Sequence, residues 1–290
     1  MDFDGLLAHY PERRCDTGAG TIAYREAGVG MPVLLLHGIS SGAASWVAQL
    51  AGLEDGFRVI AWDAPGYGAS SRLAPDAPSA ADYADALARL VHALGLEHFA
   101  LVGHSLGALM AAAYAAVEPR RVRRLVLMSP ARGHAQVDAA ERERRLSTRL
   151  ALLDRLGPDG LARERAGALL SPQASPEALA WVARNMRRLD PIGYRQAARM
   201  LADEDIGRYA RHWPRPVAVL SGSTDGITPV EQCRSVADAF EQATCDVLPG
   251  LGHALYIEAP DRINALLRQR LAAAPTDGMA VHHAQGRHNG

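Results

Sequence analysis

The sequence predicts an α/β protein with a mostly parallel, doubly wound sheet and an inserted helical segment. Three observations carry that expectation. Short, uninterrupted apolar runs such as Val33-Leu34-Leu35-Leu36 and Leu125-Val126-Leu127 imply strands buried on both faces. Segments of helical length separate these runs, which is the signature of βαβ units. Between residues 131 and 213 the strand-like runs stop, and helix signals take their place.

Taken in order, Thr21-Ile22-Ala23-Tyr24 opens the β pattern, the run 33–36 continues it, and a helix-like stretch starts at Ser45. A strand over Phe57–Trp62 and a helix from Ser79 to Leu94 follow, then a strand over 99–102, a helix from Ser105 and a strand over Val122–Met128. In the insertion, Ser175-Pro176 and Asp190-Pro191 each place an N-cap before a proline at the first helical position. The sheet pattern resumes at Val217–Leu220, passes a helix near Val230–Phe240 and a strand near Thr244–Leu248, and ends in a helix over Pro260–Leu271. The expected organisation is therefore a core of residues 1–130 and 214–274, a helical segment of 131–213, and a disordered polar tail of 275–290.

Composition narrows the function classes. In 290 residues, 31 basic and 32 acidic side chains give a net charge of -1, so no bulk field favours nucleic acid. All the basic residues are Arg, which removes lysine Schiff-base and phosphate-loop chemistry. Cys15, Cys233 and Cys245 form no C-x-x-C pair, which argues against a zinc knuckle or a disulfide framework and fits a reducing cytoplasm. The start lacks the pattern of a signal peptide, and the longest apolar stretch, Leu106–Val117, is too short to span a bilayer. A small-molecule substrate is expected, with no nucleic acid, membrane, metal or cofactor; a homodimer stays open.

Chemistry concentrates in three loops. Gly103-His104-Ser105-Leu106-Gly107 sits where a strand gives way to a helix. So tight a reversal strains its central residue, demands small neighbours, lifts the Ser105 hydroxyl clear of the sheet and leaves the Leu106 amide at a helix N-terminus. A serine hydroxyl needs a base, and the base an orienter. Asp225 follows the strand ending near Leu220, and His253 leaves the next strand in Gly250-Leu251-Gly252-His253. Among eleven histidines, His253 is best placed: His104 is assigned to packing or hydrogen bonding, His37 to the turn after another strand, His9 precedes the sheet pattern, His92 falls on a helix, His98 opens a strand, and the others lie in the insertion or tail. Asp138 rivals Asp225, whose glycine-flanked loop is preferred. His37-Gly38-Ile39 follows an apolar strand, with the Ile39 amide as a second oxyanion donor; Asp63–Ser70 is a turn rather than a dinucleotide site.

These pieces resemble the α/β-hydrolase fold enzymes from about Thr21 to Leu271. The match is carried by His37-Gly38, the D-x-P-G-x-G-x-S run Asp63–Ser70, the Gly103–Gly107 elbow, the Gly222–Pro229 acid loop, and Gly252-His253 followed by Glu258 and Pro260. The order Ser105, Asp225, His253 is the triad order of that fold. The resemblance implies that residues 131–213 form a helical cap. Ser rather than Asp at 105 points away from the dehalogenase and epoxide hydrolase branches, and the chain looks most like small carboxylesterases and enol-lactone hydrolases. It therefore implies cleavage of a small carboxylic ester or lactone through an acyl-enzyme on Ser105. Carbon–carbon bond hydrolases of the meta-cleavage type share the triad but usually carry Asn and Trp where His104 and Ala254 stand. That reading, acyl transfer and a non-catalytic ligand receptor on the same scaffold are the alternatives. The insertion holds fifteen Arg against eleven acidic residues. An inward-facing arginine could clamp a substrate carboxylate, and His37, Trp181, Arg187 and Arg188 are the candidate substrate contacts.

Overall fold

The computed structural model describes residues 1–272, so the tail expected over 275–290 lies outside the described residues. Eight strands form one sheet in the order β1-β2-β4-β3-β5-β6-β7-β8. They are β1 (Arg13–Asp16), β2 (Thr21–Ala27), β3 (Met31–Leu36), β4 (Phe57–Trp62), β5 (Phe99–His104), β6 (Val122–Met128), β7 (Val217–Gly222) and β8 (Ala243–Leu248). β1 and β2 pair antiparallel at one edge, and every pairing from β4 to β8 is parallel. The four last residues of β3 and all six of β5 are buried, as expected for strands covered on both faces.

The helices are α1 (Phe3–His9), α2 (Val47–Leu53), α3 (Ala80–Ala93), α4 (Leu106–Val117), α5 (Ala139–Arg165), α6 (Pro176–Arg187), α7 (Pro191–Asp203), α8 (Gly207–Ala210), α9 (Val230–Ala237), α10 (Leu255–Glu258) and α11 (Pro260–Ala272). Local chemistry sets their starts. Ser79 and Asp82 build a reciprocal capping box on α3, and Ser175 and Asp190 accept from the first-turn amides of α6 and α7, each with proline at the helix start. α5 is two helices merged across a kink at Gly157, where φ is 61° and Pro158 follows. Between β6 and β7 every helix or strand is a helix, α5 to α8, apart from an isolated bridge between Gly133 and Asp205.

Two elements at the start of the chain escape sequence reasoning. β1 reads Arg-Arg-Cys-Asp, without apolar alternation, because it is a four-residue edge strand exposed at three positions. α1 buries only Phe3, which stacks on Trp181 of α6 with ring centroids 5.1 Å apart. Among the described residues no helix is long and apolar enough to cross a membrane.

Candidate active site

β5 ends directly in α4, and Ser105 occupies the junction with φ 53° and ψ −116°. A β-carbon on Gly103 would stand 2.5 Å from the Gly107 carbonyl oxygen, and one on Gly107 would stand 2.2 Å from that of Leu36. Only glycine lets the turn close this far, and the forbidden conformation of Ser105 is held because its amide donates to Met128 at 2.9 Å while its carbonyl accepts from Ala131 at 3.0 Å. Leu106 is the first residue of α4, so its N–H has no intrahelical acceptor. The Gly38 turn lies alongside: a β-carbon there would stand 3.0 Å from that of Ser105. Among the described residues neither the Ile39 nor the Leu106 amide has a protein acceptor.

The Asp225 and His253 loops are zipped together. Thr224 N–H and Oγ1 both donate to the Leu251 carbonyl, at 3.0 and 2.9 Å. His253 Nδ1 lies 2.9 Å from Asp225 Oδ2, and both side chains are buried. Oδ1 accepts from the amides of Ile227 at 2.8 Å and Thr228 at 2.9 Å, and the Thr228 hydroxyl reaches Oδ2 at 2.8 Å. Burial pushes the Asp225 carboxyl up, but the hydrogen bond and charge of His253 and the Thr228 donors outweigh it and hold the pKa down at about 2. An ionised carboxylate only accepts, so it keeps the imidazole proton on Nδ1 and leaves Nε2 with a free lone pair. Ser105 and His253 line one cavity of about 460 Å³, together with Ile39 and Leu106.

The rest of the wall under His253 is tied together by hydrogen bonds. His104 is buried, its Nε2 sits 2.9 Å from the His253 carbonyl oxygen, and burial followed by the charge of His253 lowers its pKa to about 3, so it bonds as a neutral ring. Glu258 Oε1 accepts from Gly252 at 2.8 Å and from Ser171 at 3.0 Å, which joins the His253 loop to the inserted segment. Thr228 is the residue that sequence reasoning missed; its signal is the spacing Asp225-x-x-Thr228, which closes a side-chain-bonded turn.

Four expected substrate contacts and the rival acid stand elsewhere. His37 is buried outside the cavity lining: Nδ1 donates to the Gly38 carbonyl at 2.8 Å and Nε2 accepts from Ala64 N–H at 3.0 Å, so it ties the Gly38 turn to the loop after β4. Trp181 faces Phe3, because the rotation of α6 gives the cavity Val182, Asn185 and Met186 instead. Arg187 and Arg188 are exposed; Arg187 lies 3.9 Å from Asp159, and Arg188 lines a separate small cleft beside Arg25 and Asp63. Asp138 caps α5 by accepting from Glu141 N–H at 2.9 Å. The Asp63 turn pins loops together, with Asp63 Oδ1 accepting from Ala43 N–H at 2.8 Å and Ser70 Oγ donating to the Asp63 carbonyl at 2.6 Å.

Residues 31–260 match the family model of the alpha/beta hydrolase fold. The chain belongs to that family. Among curated relatives, this α/β hydrolase is 28% identical over 260 residues to the (E)-2-((N-methylformamido)methylene)succinate hydrolase of Acinetobacter baylyi, covering 88% of this chain and 95% of the relative. It is 31% identical over 263 residues to RutD of Variovorax paradoxus, a protein named for carbamate hydrolysis, covering 86% and 95%. Among solved structures, a malate-bound thermophilic esterase of Thermogutta terrifontis superposes with a TM-score of 0.79 at 29% identity, covering 89% of this chain and 97% of the esterase. The fold and these relatives identify the α/β hydrolase as a hydrolytic enzyme.

Proposed function

We propose that the protein is a serine hydrolase that cleaves a small carboxylic ester or lactone through an acyl-enzyme on Ser105. The observation that carries this reading is the buried 2.9 Å contact between Asp225 and His253 Nδ1, opening on the cavity that also holds the strained Ser105. His253 Nε2 takes the Ser105 proton as Oγ attacks the carbonyl carbon, and the oxyanion forms toward the Ile39 and Leu106 amides. Each such donor is worth roughly 3 kcal/mol on the barrier. The imidazolium, held by Asp225, then protonates the leaving alkoxide as the carbon–oxygen bond breaks. Water, deprotonated by the same imidazole, attacks the acyl-enzyme and releases the acid with Ser105 restored.

One relative is named for hydrolysis of an (N-methylformamido)methylene succinate and another for that of a carbamate, which supports adding amide and carbamate bonds to a panel of p-nitrophenyl esters, lactones and vinylogous diketones. A fluorophosphonate should label the protein on Ser105, and Ser105→Ala should lose both labelling and turnover while keeping its circular dichroism spectrum. Undiminished turnover by that variant would remove the assignment. Preferential cleavage of a diketone over every ester would move the reaction to carbon–carbon bond hydrolysis.

A further inference from the structure

The lining of the cavity carries five arginines, at positions 132, 144, 145, 149 and 165, and no carboxylate side chain. Three of the five are engaged by the protein itself. Arg132 Nε lies 3.3 Å from Asp205, and Arg144 and Arg145 share Glu141, each at 2.6 Å. Arg165 is exposed at the end of α5. Arg149 differs from all of these. It is half-buried on α5, and its hydrogen bond is to a neutral group, the Tyr194 hydroxyl at 3.2 Å. Among the described residues no carboxylate stands within ion-pair distance of it.

A partly desolvated guanidinium without a counter-charge is costly, and its planar fork matches a carboxylate with two parallel hydrogen bonds. Tyr194 and His134 face the same cavity, and Tyr194 already orients the guanidinium. His134 is held neutral, its pKa lowered to about 4 by burial and then by Arg145 and Arg149, so the ring donates or accepts a hydrogen bond without adding charge. The local field is positive, and among the described residues no carboxylate neutralises it at Arg149.

We propose that Arg149 is the specificity residue that anchors a free carboxylate carried by the substrate, with Tyr194 and His134 as accessory hydrogen-bonding groups. The favoured substrates are then acidic acyl compounds, such as half-esters of diacids. This inference rests on hydrolysis at Ser105 and deepens that reading.

The test compares two matched pairs of esters. One pair bears or lacks a carboxylate on the acyl side, p-nitrophenyl hemisuccinate against p-nitrophenyl butyrate. The other bears or lacks it on the leaving side, acetoxybenzoate against phenyl acetate. Wild-type protein should prefer the charged member of at least one pair, and in Arg149→Ala that ratio of kcat/KM should fall about 10- to 100-fold, the worth of a hydrogen bond to a charged group. Arg149→Lys, which keeps charge but loses the fork, should fall between. Arg155→Ala removes an exposed arginine paired with Glu164 at 3.4 Å and should keep the ratio. An unchanged ratio in Arg149→Ala, or an equal loss in Arg155→Ala, overturns the assignment. Succinate against succinamide, read by thermal shift, separates the two readings. If neither fluorophosphonate nor any ester reacts, hydrolysis at Ser105 is wrong, while selective stabilisation by succinate that Arg149→Ala abolishes still upholds the anchor. Equal stabilisation of both proteins by succinate refutes it.

Discussion

Replacing Asp225 by Asn leaves the size of the side chain unchanged and reverses half of its hydrogen bonding. Both partners of Oδ1 are amides, Ile227 at 2.8 Å and Thr228 at 2.9 Å, and an amide can only donate. The Asn carbonyl must therefore take that site, which sends its NH2 group to the place of Oδ2, facing His253 Nδ1 and the Thr228 hydroxyl. An NH2 group donates. To meet it, the imidazole must offer a lone pair at Nδ1 and carry its proton on Nε2, the tautomer that cannot accept the Ser105 proton. The imidazolium also loses its counter-charge in a buried setting. The reversal should lower kcat/KM on a short p-nitrophenyl ester by about 10³- to 10⁴-fold, or roughly 4–5 kcal/mol on the barrier. Thermal unfolding of the variant should stay cooperative, since volume and three of the four contacts can be kept. Activity within about tenfold of wild type would refute the tautomer argument, because a tenfold change is only ~1.4 kcal/mol.

Two further outcomes follow from the same contacts. Thr228→Val removes the hydroxyl that reaches Asp225 Oδ2 at 2.8 Å and the Ser129 carbonyl at 3.1 Å, and should lower kcat/KM by roughly tenfold, chiefly through kcat, with recovery in Thr228→Ser; wild-type rates in the valine variant would assign the hydroxyl to packing alone. Stability should fall on acidification: burial lowers His37 to about 4 and His104 to about 3, so below the ordinary histidine value the unfolded chain binds protons that the folded one refuses. Each ring loses ~1.4 kcal/mol per pH unit below about 6.5, or about 2 kcal/mol at pH 5. Asp63 acts with the opposite sign, because burial raises it to about 6 and its protonated form contributes stability that is lost as pH rises through that value; it offsets about 1 kcal/mol at pH 5. These three groups together lose about 2–3 kcal/mol between pH 7 and 5, and His134, lowered to about 4, adds in the same direction; at this chain length the drop in Tm should be at least about 3–5 °C by calorimetry, and a Tm that rises over that interval would contradict the buried-neutral rings.

What the sequence determined by itself is whatever depends on neighbours along the chain. Apolar runs with helices between them specify a covered parallel sheet, because a strand buried on both faces has no room for alternation. Gly103 and Gly107 around Ser105 specify the elbow, because the turn closes only where side chains are missing. Caps at Ser79, Ser175 and Asp190 are local hydrogen bonds and mark their helices in the sequence. Tertiary structure decided which side chains meet. His37 carries a ring at the site's margin yet turns inward to bridge two loops, and Trp181 turns to Phe3 because α1 packs there. Arg149, not Arg187 or Arg188, reaches the cavity, since the faces that α5 and α6 turn inward are set by their packing on each other and on neighbouring elements. A fifteen-arginine segment offers many equivalent choices to periodicity, and only the direction of each side chain in space tells a solvated charge from one aimed at a substrate.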